Sequence, residues 1–62
     1  MSIELLQAIE NVLPNLEEIR EQIIQQPVTK TNRPRLDEAY VGVADAIRTL
    51  TAMTAAAQTP DL

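Results

Sequence analysis

Residues 36–57 read LDEAYVGVADAIRTLTAMTAAA. Stepping four and three residues at a time meets Leu36, Tyr40, Val43, Ile47, Leu50, Thr54 and Ala57, an almost wholly apolar seam with the repeat of a helix packed against another helix. Ala39, Ala46 and Met53 flank this seam on one side, and Ala44 and Thr51 on the other. The apolar face is therefore wider than one neighbouring helix covers, which predicts self-association or a bound partner.

Upstream, the same spacing recurs in Leu5, Ile9, Val12, Leu16, Ile19 and Ile23, with Leu6 and Leu13 widening the stripe. This predicts a first helix over about 3–25, opened by Ser2 as N-cap and by Glu4 near the positive end of the helix dipole. Pro14 falls inside it. The apolar register runs through the proline without a skip and puts it on the outer face, which predicts one continuous helix curved around its packed side rather than two short ones. Glu10, Glu17, Glu18 and Glu21, with Arg20 as the one cation, form the acidic outer face of this helix. Glu17 and Glu21 repel each other at a four-residue spacing, and a basic partner would relieve that repulsion.

Pro27 forces its predecessor out of the helical region, so helix one ends at Gln25 and Gln26. Val28 and the polar residues Thr29, Lys30, Thr31 and Asn32 complete a loop over 26–32, short enough to keep the two helices neighbours. Helix two is expected over about 33–58, capped by Thr31 or Asn32, with Pro34 tolerated in its first turn. Thr59 and Pro60 stop it, leaving Asp61 and Leu62 as a tail. The fold expected for 1–62 is a single all-α domain, an antiparallel two-helix hairpin. Two such hairpins, paired into a helical bundle, would cover the remaining stripes. Gly42 lies opposite the main seam, where glycine lowers helix stability and marks a candidate close contact with another chain.

A chain of 62 residues is near the lower limit for a self-sufficient core, and small domains are supplemented by disulfides, metals or oligomerisation. There is no Cys and no His, which removes disulfides, thiolate and imidazole metal sites, and Ser-His or Cys-His nucleophiles. Oligomerisation is what remains. Only carboxylates would be left for acid–base work, and no pair of them sits on an apolar face that would raise their pKa. No enzyme, catalytic residue, metal or cofactor is expected. The net charge of −4 disfavours a surface that tracks a nucleic-acid backbone. No secretory leader pattern or bilayer-length apolar run is visible, so no membrane association and a cytoplasmic location are expected.

Two groups of residues are candidates for binding. Lys30, Arg33 and Arg35 supply three of the five cations and, with Thr31 and Asn32, gather at the start of helix two, where free amides and the dipole favour an anion. A phosphate, a nucleotide or an acidic segment would suit them. The second group is a protein interface made of Ala39, Tyr40, Val43, Ala46, Ile47, Leu50 and Met53, with Glu17 and Glu21 on the acidic face. Tyr40 is the single aromatic residue, expected in the core with its hydroxyl in solvent.

The alanine-rich end of helix two, from Ala52 to Pro60, resembles the C-terminal helix of the small all-helical phage proteins that sequester cyclic nucleotides and blunt anti-phage signalling. That resemblance implies a helical oligomer with ligand pockets between subunits. The hairpin architecture is also similar to the dimeric two-helix proteins that bind paired RNA loops in plasmid copy control. The function expected from the residues themselves is a non-enzymatic helical oligomer acting by binding, as a protein-interaction or inhibitor module. A nucleotide sponge using the basic loop and an RNA-binding hairpin dimer are the alternatives.

Overall fold

A computed structural model describes residues 2–58 as two α-helices, α1 (Ile3–Gln25) and α2 (Arg33–Gln58), packed side by side as a hairpin. The residues expected to stop helix two, Thr59 and Pro60, lie outside the described range. Ser2 caps α1 in an extended conformation, its Oγ accepting the Leu5 N–H at 3.1 Å while its carbonyl accepts that of Leu6. Helix α1 runs through Pro14 without a break, and Pro14 is exposed. Its ring thus sits on the solvent side, where a helix that curves around its packed face best tolerates a missing hydrogen bond. At the far end Gln26 turns extended ahead of Pro27, as the residue before proline must. Its N–H closes onto the Ile23 carbonyl at 3.2 Å, and its side-chain amide donates to the Gln22 carbonyl.

Helix α2 begins at Arg33, directly after Asn32, one of the two expected caps, whose carbonyl accepts the Leu36 N–H at 2.9 Å while its side chain bonds upstream. Thr29 and Asn32 bond reciprocally: the Thr29 N–H donates to Asn32 Oδ1 at 2.7 Å, and the Asn32 N–H donates to Thr29 Oγ1 at 3.1 Å. This is capping-box geometry, with asparagine where Glu or Gln is usual. The Arg33 N–H already donates to the Thr29 carbonyl at 3.0 Å, a helical bond. Asn32 also donates from Nδ2 to the Pro27 carbonyl at 3.1 Å, which ties the cap to the end of the preceding turn.

The hairpin measures 51 × 19 × 13 Å, so its thickness is that of one helix with its side chains. Its radius of gyration is 14.7 Å, against about 10.6 Å for a compact domain of this length. A single layer cannot enclose a core. Among the described residues only Ile9 is buried, at 2% exposure.

The side chains of α1 that face α2 differ from the expected seam by a rotation of the helix. Leu6, Ile9, Leu13, Leu16, Arg20 and Ile23 are the ones withdrawn from solvent, while Leu5, Val12 and Ile19 are exposed. Arg20 therefore leaves the acidic outer face and sits half-buried in the inward register. Its methylene stem can cover the neighbouring apolar surface while the guanidinium reaches water. In α2 the seam holds at Leu36, Val43, Ile47, Leu50 and Thr54, all half-buried. Thr54 belongs there because its hydroxyl donates to the Leu50 carbonyl at 3.0 Å, which satisfies it inside an apolar face. Tyr40 and Ala57 of the expected seam are exposed. Among the described residues no helix is long and apolar enough to cross a membrane.

Candidate functional site

A hairpin one helix thick has two broad faces, and helical geometry assigns each outward position to one of them. On one face lie Leu5, Val12 and Ile19 of α1, seven residues apart, beside Ala39, Ala46 and Met53 of α2 at the same interval. The α1 stripe is open, with exposures of 43% for Leu5, 37% for Val12 and 47% for Ile19. Ala46 and Met53 are half-buried, and Ala39 is exposed. The positions just outside these stripes are Ala8, Asn15 and Gln22 on α1, and Gly42 and Thr49 on α2. Arg35, exposed four residues before Ala39, puts a cation at the loop end of this row; from Ala39 onward, among the described residues, the face carries no ionisable side chain between its edges. A Cβ added at Gly42 would meet nothing within 4 Å, so nothing in the hairpin itself demands glycine there.

At the loop end of the same face a groove of about 270 Å³ is lined by Glu18, Ile19, Gln22, Ile23 and Gln26. It is open and mainly apolar, with Glu18 on its rim. The interface candidates named from the sequence are thus divided by the fold. Ala39, Ala46 and Met53 belong to the uncharged face. Val43, Ile47 and Leu50 are half-buried along the line between the helices, and Tyr40 turns to the other side.

The opposite face has another character. Glu10, Glu17 and Glu21 stand exposed along α1, and α2 contributes two local ion pairs, Arg33 with Asp37 at 3.9 Å and Arg48 with Asp45. Both pairs are solvent-exposed, and such pairs contribute little to stability. The acidic row on α1 has no cation bonded to it among the described residues.

The basic residues at the start of α2 are not directed at a common point. Arg33 and Arg35 are two residues apart on a helix, hence about 200° apart around its axis. Arg33 is engaged with Asp37, and the Asn32 side chain is committed on both its oxygen and its nitrogen. Lys30, Thr31 and Arg35 are exposed. Among the described residues no group of His, Cys, Asp or Glu is placed to hold a metal ion. The exposed stripe of Leu5, Val12 and Ile19 had a signal in the sequence, its seven-residue spacing, but spacing alone does not say which neighbouring row turns toward the partner helix. Comparison with known proteins returned no match to any protein family, curated protein or solved structure.

Proposed function

We propose that this chain is a non-enzymatic binding module, a small helical protein that self-associates and acts by engaging another protein as an adaptor or inhibitor. One observation carries the reading: a folded chain in which only Ile9 is buried among the described residues has most of its apolar surface available for partners. The acidic row of Glu10, Glu17 and Glu21 supplies a charged surface on the face that self-association leaves free, suited to a basic partner.

The test is capture of a partner from the natural host by the wild type and by two variants. Charge reversal at Glu17→Lys with Glu21→Lys is expected to weaken capture without loss of helix content, whereas Lys30→Ser, Arg33→Ser and Arg35→Ser together leave it intact. Titration calorimetry with phosphate-bearing ligands runs beside it, with no heat expected. Salt-sensitive heat that disappears in the triple serine variant would overturn the reading in favour of a nucleotide-sequestering loop.

A further inference from the structure

We infer that the uncharged face, built from Leu5, Val12 and Ile19 of α1 with Ala39, Ala46 and Met53 of α2, is covered by the same face of a second copy of this chain. The inference rests on the binding role proposed above and specifies the surface used for self-association.

Area is the first support. A compact protein of 6.9 kDa exposes about 4,000 Å², yet this hairpin exposes 5068 Å². The excess of about 1,000 Å² is close to the roughly 800 Å² that each partner buries in a stable protein–protein interface. Charge is the second. Interface cores are depleted of ionisable groups; among the described residues this face has its charges at the loop end, Arg35 in the row of Ala39, Ala46 and Met53 and Glu18 on the groove rim, and none along the stripes beyond them, while the acidic row of Glu10, Glu17 and Glu21 lies on the opposite face. Stacking two copies through the acidic face would bring carboxylates against carboxylates.

Pattern is the third. Both stripes repeat every seven residues and run along the length of the hairpin, which is the arrangement two helical layers need to interdigitate. The rotation of α1 has the same meaning. The row Leu5, Val12, Ile19 and the row Ile9, Leu16, Ile23 together form one heptad seam, and the hairpin withdraws only the second row from solvent, burying Ile9 and half-burying Leu16 and Ile23. A seam that points between its hairpin neighbour and a second layer is the geometry of a helix in a four-helix bundle. Small side chains at Ala39 and Ala46 permit the second layer to approach closely. A C2 arrangement makes this contact self-complementary and closed, so it ends at a dimer rather than a filament.

Sedimentation of the wild type is expected to give twice the mass of one chain. Val12→Glu with Ile19→Glu is expected to convert it to the monomer, and Glu17→Lys with Glu21→Lys on the opposite face is expected to leave the dimer unchanged. The glutamate variant can also unfold, so the second measurement leaves the fold alone. The chain has no cysteine, which allows single-cysteine variants to report accessibility. Alkylation of Ala46→Cys is expected to slow as protein concentration rises, while that of Val41→Cys, at a position 65% exposed on the outside of α2, stays constant. A wild type that remains monomeric, or Ala46→Cys alkylation that ignores concentration, overturns the interface. If a monomeric chain still captures its partner, the interface fails and the binding role stands; a dimer that captures nothing fails the binding role alone.

Discussion

Truncation of Ile9 to alanine measures how much of this fold depends on a single side chain. Ile9→Ala removes three carbons from a position 2% exposed, and at about 0.8 kcal/mol per buried methylene the transfer loss is about 2.4 kcal/mol. A cavity contribution adds to this, since Ile to Ala in cores costs about 2–5 kcal/mol. The half-exposed neighbours Leu6, Leu13 and Leu16 can relax into the space, so the expected loss is about 3 kcal/mol, toward the lower part of that range. A chain this size has about 3–9 kcal/mol in total, and the variant should therefore lie near the edge of folding. Its melting midpoint should fall by about 12–24 °C. Urea unfolding followed by helix ellipticity is the assay, at one fixed chain concentration because self-association makes the midpoint depend on it. Val41→Ala is the control. It removes two carbons from an exposed helical position and trades a β-branched residue for the best helix former, so its effect should be close to zero. An Ile9→Ala loss below about 1 kcal/mol, or one no greater than the control, would refute the placement of the core, because a buried isoleucine cannot be removed so cheaply.

Other substitutions probe the local devices one by one. Pro14→Ala should stabilise α1 by up to about 3 kcal/mol, lessened by the greater freedom alanine gives the unfolded chain, and an unchanged urea midpoint would contradict a proline inside a continuous helix. Ser2→Ala should cost about 1 kcal/mol through the lost cap on the Leu5 amide, read in the same titration. Ile47→Asp places a charge on the half-buried seam of α2 and should abolish cooperative folding, whereas retained ellipticity and midpoint would show the seam to be elsewhere. Gly42→Ala should raise stability by about 1 kcal/mol, since the added carbon meets open space; a loss would mean that a second backbone closes on that position.

What the sequence by itself determined is the class of fold and much of its local punctuation. Two heptad-spaced runs joined by a short, proline-bearing polar turn bring their apolar faces together by folding back as a helical hairpin, and Ser2 and Pro27 act through their immediate neighbours. Passage of the helix through Pro14 was legible for the same reason, because the apolar register on either side stays in phase. The tertiary structure decided the rotation of α1. Leu5, Val12 and Ile19 have the same spacing as Leu6, Leu13 and Arg20, and the two rows differ only by one step around the helix. Which row turns toward α2 depends on how side chains of both helices interlock, a pairwise property that no single helix encodes. Asn32 precedes the first residue of α2 as expected, but its side chain bonds upstream to Thr29, because a reciprocal pair three residues apart satisfies two backbone amides at once, where either residue alone satisfies one. The separation of an uncharged face from an acidic one likewise arises only when two helices lie side by side: each helix carries both kinds of position, and the antiparallel packing brings like to like.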